Sequence, residues 1–235
     1  MSSNLTPRTS YTQTMGYFMT KAVVFDWDGV IVDSLGTIED WFRYCCSKFG
    51  KEYPFSTKEE MIEEYQEPFP KMFEKFGFDW ERDRDSVIEL FYSFMKDRNI
   101  PIKEGMVEVL EELSGSGYSM GIVSSNREEI IEESLDRFGI GSYFEALITH
   151  RERDEYLKPS PRMLEVCMDR LGVLPSNTVY IGDQPTDVVA AERAGVETVV
   201  VTWGYSTKDK FRSVNPDHIV ETPEELTAAV RSILG

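Results

Sequence analysis

Five short apolar runs, rich in β-branched residues, recur along this chain with helix-like stretches between them. This spacing restricts the fold more than any other feature. The runs are "AVVF" (22–25), "SMGIVSS" (119–125), "ALIT" (146–149), "TVYIG" (178–182) and "ETVVVTW" (197–203). They are apolar almost throughout rather than alternating, as strands are when a parallel sheet is covered by helices on both faces. Helices are expected near 104–114, 127–138, 160–171 and 186–194. "KPSPRMLEVCMDRLG" is well punctuated, with Ser160 as N-cap, Pro161 as first helical residue and Gly172 as the stop. "NPDHIVETPEEL" reads as a short edge strand and a last helix capped by Thr222, with Pro223 at its first position. The alternation predicts an α/β fold with a doubly wound parallel-sheet core.

Residues 37–104 break that rhythm. "TIEDWFRYCCSKFG", "STKEEMIEEYQ", "PFPKMFEKFG" and "DWERDRDSVIELFYSFMKDRN" read as helices, and no good strand lies among them. A crossover needs roughly a dozen residues, so this length suits an inserted helical subdomain. It would stand at the carboxyl end of the first strand, where open α/β sheets bind ligands, and act as a cap or lid. The expected organisation is a flexible leader (1–20), a core formed by 21–36 and 105–235, and a helical cap over 37–104. The leader, "MSSNLTPRTSYTQTMGYFMT", has no hydrophobic signal core, and Met15 or Met19 could equally start the chain. Its single basic residue, Arg8, makes a poor mitochondrial address.

The chain has 235 residues, is 41% hydrophobic and carries a net charge of −17. That is enough apolar material for a sizeable core. So acidic a surface repels nucleic acid and anionic lipid, and neither is an expected partner. Cys45, Cys46 and Cys167 are an odd number without zinc-site spacing, which fits a reducing, cytoplasmic setting and packing roles. No run of about 18 apolar residues is present to span a membrane.

The chemistry lies where strands end. "AVVF" runs into "DWDG", placing Asp26 and Asp28 at the end of the first strand, and "TVYIG" runs into Asp183, with Asp187 four residues on. If the two strands are neighbours, several carboxylates share one small volume and repel unless a cation intervenes. Oxygen donors of this kind suit Mg²⁺. Either motif alone could be a capped turn, and Asp187 could simply cap the next helix; their joint occurrence argues for a site. "GIVSSN" ends a strand with Ser124, Ser125 and Asn126 before a helix, a pattern that binds anions or merely caps. Lys158 precedes a helix, and Pro159 and Pro161 after it stiffen its surroundings, which suits a positioned ammonium more than a solvated one.

Together, DWDGVIVDS, GIVSSN, LKPSP and IGDQPTDVVAAERAG resemble the four ordered motifs of the haloacid dehalogenase-like (HAD) superfamily, with its Rossmann-like core. The resemblance runs from about residue 21 to 205, and the helical insert looks like the cap of the phosphoglycolate phosphatase-like branch. It implies a Mg²⁺-dependent phosphatase acting on a small phosphorylated metabolite, such as phosphoglycolate or a sugar phosphate. Asp26 would be the nucleophile and Asp28 the general acid/base, its backbone carbonyl joining the metal shell. Ser124 would bind the transferring phosphoryl with help from Ser125 and Asn126, and Lys158 would neutralise charge. Asp26, Asp28, Asp183 and, directly or through water, Asp187 would form the metal site. A cytoplasmic monomer or homodimer is expected.

A sugar phosphomutase would share this core. Such mutases tend to carry Glu-Asp where this chain has Gly182-Asp183, which favours hydrolysis. Dehalogenases lack the second aspartate of the first motif. A receiver domain is about half this length and lacks the insert, and a non-catalytic phosphate-binding protein would keep the groups without turnover. His150 and His218 have no partner at ligand spacing and read as surface or capping residues. The aromatic side chains of the insert (Trp41, Phe42, Tyr44, Phe69, Phe73, Phe76, Trp80, Phe91, Tyr92 and Phe94) read mostly as packing, and the pattern does not say which meet a substrate. Trp203 and Tyr205, after the last long strand, read first as packing, with rimming the site as the alternative.

Overall fold

The computed structural model describes residues 20–65, 69–96, 98–149 and 156–235. Almost all of the leader, and His150, lie outside the described residues. The core strands are β1 (Ala22–Phe25), β2 (Ser119–Ser124), β3 (Ala146–Thr149), β4 (Thr178–Gly182), β5 (Glu197–Val201) and β6 (His218–Val220). They form one sheet in the order β3-β2-β1-β4-β5-β6, parallel throughout. β1 to β3 build outward in one direction; the chain then returns to lay β4 against the other side of β1. The strand order therefore reverses at β1/β4, and in such sheets the crevice beyond that reversal is the ligand site.

Alternation along each strand splits the core in two. Val23 and Phe25 face a cluster that includes Leu110 and Leu113 of α5 (Met106–Gly115), Ile131 of α6 (Glu128–Phe138) and Leu226 and Val230 of α9 (Pro223–Leu234). Ala22 and Val24 face Met163, Leu164 and Cys167 of α7 (Arg162–Leu171) and Ala190 and Ala191 of α8 (Pro185–Ala194). Each fully buried large apolar side chain contributes roughly 1.5–3 kcal/mol, so both faces hold the sheet. α7 begins one residue later than its sequence suggests: Pro161 is the N-cap and Arg162 the first helical residue. Ser160 still takes part, its hydroxyl accepting from the Arg162 N–H at 3.4 Å. Gly172 ends the helix with φ 68°, the left-handed value glycine tolerates.

Between β1 and β2 come α1 (Leu35–Lys48), α2 (Lys58–Glu64), α3 (Pro70–Lys75) and α4 (Trp80–Met95). They bury a core of their own around Trp41, Phe42, Met61, Met72 and Phe73. Edge-to-face ring pairs recur in it, among them Trp41–Phe91 at 5.3 Å and Phe42–Phe76 at 5.1 Å. Cys45 and Cys46 sit inside this cluster, and burial pushes their thiols up to about 12 and about 11. The two linkers into the insert pair with each other. The Asp33 N–H donates to the Pro101 carbonyl and the Lys103 N–H to that of Ile31, both at 2.9 Å, around an antiparallel Val32–Ile102 bridge.

The insert is held against the core by packing of Phe91, Phe94, Met95 and Ile100 on the core cluster and by polar and ring contacts. Tyr65 lies on Tyr205 with ring centroids 4.8 Å apart, the Lys210 ammonium donates to the Tyr65 carbonyl at 2.7 Å, and the Arg127 guanidinium covers Tyr92 at 4.4 Å. Among the described residues, no helix is long and apolar enough to cross a membrane.

Candidate active site

Asp26 follows directly on β1, and its N–H continues the ladder to β4 by donating to the Ile181 carbonyl at 2.8 Å. That bond places Asp26 beside the end of β4, where Asp183 stands. The Asp26 carboxylate accepts from the Trp27 N–H at 2.7 Å on Oδ1 and meets the Lys158 ammonium at 2.9 Å on Oδ2. Lys158 is itself buried and touches Asp187 Oδ1 at 2.7 Å. Three carboxyl groups, those of Asp26, Asp183 and Asp187, thus lie close together beside one ammonium, an excess of negative charge that low-dielectric surroundings penalise.

Asp28 turns away from that cluster. Its Oδ2 accepts from the Asn126 side-chain amide at 3.0 Å. Burial pushes its carboxyl above the usual range, while hydrogen bonds from Asn126 and Ser34, then the charge of Lys158, pull it part of the way back. Asn126 also accepts from the Arg127 N–H at 2.8 Å, and its own N–H donates to the buried Ser124 hydroxyl at 3.0 Å. The side chain of Asn126 is therefore committed to Asp28 and to the entry of α6. Ser125 is exposed at the rim.

Asp187 is saturated by protein donors. Oδ2 accepts from the N–H groups of Asp183 and Gln184 at 3.0 and 2.9 Å, closing a reciprocal cap on α8. Oδ1 accepts from the Tyr180 hydroxyl at 3.0 Å and from Lys158. The capping reading of Asp187 and a place in the site are thus both realised: the carboxylate that caps α8 also holds the lysine. Burial first, then the charge of Asp187, pushes the Tyr180 phenol well above its usual range, so it stays a donor.

Asp26, Asp183 and Asp187 each offer an oxygen within 4.8 Å of the others, and all three are buried. Asp28 is not part of this group. The donor set is carboxylate only, which suits a hard cation, and with Asp187 already filled, Asp26 and Asp183 are the two placed to ligate one. Asp183 is fitted tightly: its Oδ2 accepts from the Tyr205 N–H at 2.6 Å. A Cβ at Gly29 would lie 2.4 Å from that oxygen, and one at Gly204 2.1 Å. Gly29 also has φ 76°, so the glycine of "DWDG" is required twice over, for conformation and for room.

Tyr205 therefore belongs to the site as well as to the packing. Besides its N–H, its hydroxyl shares a 2.8 Å hydrogen bond with Ser34 Oγ. Ser34 precedes α1 without capping it. Neither Ser34 nor Tyr180 carries a sequence signal, because Ser34 bonds a residue 171 positions away and Tyr180 one seven positions on, in the next element.

Above this floor lies a cavity of about 610 Å³. Asp26, Asp28, Ser124, Ser125, Asn126, Lys158 and Asp183 all line it; Asp187 does not. Its roof comes from the helical insert.

The family model for "Haloacid dehalogenase-like hydrolase" matches residues 23–201. The chain belongs to the haloacid dehalogenase-like hydrolases. Among HAD relatives, it is 27% identical over 217 residues to the pyrophosphatase PpaX of Oceanobacillus iheyensis, covering 89% of this chain and 96% of that protein. It is equally 27% identical to a phosphoglycolate phosphatase of Synechococcus elongatus, covering 91% and 99%. A HAD-like hydrolase from Streptococcus pneumoniae shares its fold, with a TM-score of 0.77 at 20% identity over 89% of this chain and 98% of that one.

Proposed function

We propose that this HAD hydrolase is a phosphatase that cleaves phosphate monoesters through a phosphoryl-aspartate at Asp26. The observation that carries the reading is the state of Asp26: a buried carboxylate at the sheet's reversal point, fixed by the Trp27 N–H and Lys158 and open to a cavity shared with Asp28 and Ser124. The phosphatase names of its relatives support the same conclusion.

In the first step an Asp26 oxygen forms a bond to phosphorus as the ester P–O bond breaks, and Asp28 gives its proton to the departing oxygen. The Asn126 amide holds Asp28 for that task. In the second step Asp28 takes a proton from water, whose oxygen attacks phosphorus and expels Asp26, releasing phosphate. Ser124 and Lys158 would position the phosphoryl oxygens and balance their charge. Mg²⁺, held by Asp26 and Asp183 with Asp187 at most through water, would supply the remaining positive charge and orientation. Three buried thiols suit a reducing, cytoplasmic setting.

Hydrolysis is favoured over phosphoryl return to a sugar by the packing at Gly182. A Cβ there would lie 2.5 Å from Asp187 Cβ, so the glutamate of mutase-like chains could not stand beside this Asp187. The test is a panel of phosphate esters with Mg²⁺ or EDTA, for wild type and Asp26→Asn. Phosphate release should vanish in EDTA and in the variant; unchanged turnover by Asp26→Asn would refute the nucleophile. Accumulation of a sugar-phosphate isomer without phosphate release would make it a mutase.

A further inference from the structure

The roof of the cavity is of a different chemical kind from its floor. Phe69, Trp80, Ile88, Phe91 and Tyr92 of the insert line it, with Met95 at the end of α4. The first five are half-buried: Phe69, Trp80 and Phe91 pack against the insert's aromatic core and also line the cavity. Partly bared rings gathered around one cavity mark a binding surface. Arg84, exposed at the rim, is the one charged residue of the insert that lines the cavity among the described residues.

A leaving group of pyrophosphate or glycolate type would set a second phosphate or a carboxylate beneath this roof. A charge taken from water needs partners to offset its desolvation; the rings provide none, and Arg84, the one cation the insert brings to the cavity among the described residues, stands exposed at the rim. A cavity of about 610 Å³ leaves room for an apolar body beyond the phosphate; volumes of ~300–1,000 Å³ usually take drug-sized ligands. Resting on the phosphatase reading above, we infer that the substrate is a phosphate monoester whose leaving group carries an aromatic ring or comparable apolar body. That body stacks under Phe69, Trp80, Phe91 and Tyr92, while the phosphate sits on Asp26 and Lys158.

The test compares 2-phenylethyl phosphate with ethyl phosphate, whose leaving alcohols differ little in reactivity, and with pyrophosphate and phosphoglycolate. Binding of (2-phenylethyl)phosphonate and ethylphosphonate to Asp26→Asn is measured by calorimetry, a readout independent of turnover. Burying one ring predicts roughly 10- to 100-fold higher kcat/KM and tighter binding for the phenyl compounds. Ile88→Asp should abolish that preference, lowering kcat/KM for 2-phenylethyl phosphate far more than for ethyl phosphate, with melting curves confirming that it folds. Equal or better turnover of pyrophosphate or phosphoglycolate, dependent on Asp26, would overturn the substrate class and keep the phosphatase. Preferential binding of the phenyl phosphonate without turnover of any ester would keep the apolar site and remove the phosphatase. Equal affinity for the two phosphonates, or a preference that survives in Ile88→Asp, would overturn the inference.

Discussion

The space around Asp183 is set by glycines on either side. Gly204 has no special backbone angle, so a methyl group there is objectionable only because it would meet Asp183 Oδ2 at 2.1 Å. Gly204→Ala should therefore fold yet displace the carboxylate, with kcat/KM falling at least about 100-fold, the scale expected when catalytic geometry moves by an ångström. Thermal melting and turnover measured together check this; a variant with wild-type activity would show that Asp183 need not stand where it does. At this scale the sequence was partly legible. Asp26, Asp28 and Asp183 could be found because each follows a buried apolar run. Tyr205 could not be placed, since its part depends on a backbone N–H and on Ser34, 171 positions away.

Among the elements, α8 joins stability to chemistry. Its N-terminal cap and the anchor of Lys158 are the same carboxylate. Asp187→Ala would leave two N–H groups, the Tyr180 hydroxyl and one side of a buried ammonium without their acceptor. Losing a cap and stranding buried donors costs about 3 kcal/mol together, which lowers Tm by roughly 6–12 °C in a chain of this size. Asp187→Asn keeps an acceptor for the cap, so it should be markedly the more stable of the two while still losing activity, because its amide cannot pair with the Lys158 ammonium. Equal melting temperatures for wild type and the alanine variant would sink this account. The capping box was open to a sequence reading, since Gln184 and Asp187 stand at the right spacing; the lysine on its far side was not.

Across the whole molecule, Lys210 is one of the groups that join the insert to the core. Burial, then the nearby Lys75, pushes its ammonium down to about 8 from the ordinary 10.5. Below pH 8 both folded and unfolded chains hold this proton, and the desolvation of the charge weighs fully against folding. Between about 8 and 10.5 the unfolded chain keeps the proton that the folded one has released, so this group's contribution to stability improves as pH rises. Wild type should thus gain on Lys210→Met across that window, read as the difference between their denaturation midpoints. A constant difference would show that the ammonium is not penalised where it stands. By itself the sequence determined the α/β class, the strands and helices to within about four residues at their ends, and the acids at the strand ends, because hydrophobic periodicity and capping are local. Only the tertiary structure decided that β1 and β4 are neighbours, that Asn126 serves Asp28, that Asp187 holds Lys158, and which rings of the insert face the cavity. Those outcomes depend on which distant surfaces meet, and a pattern of burial records that a side chain is covered without recording by what.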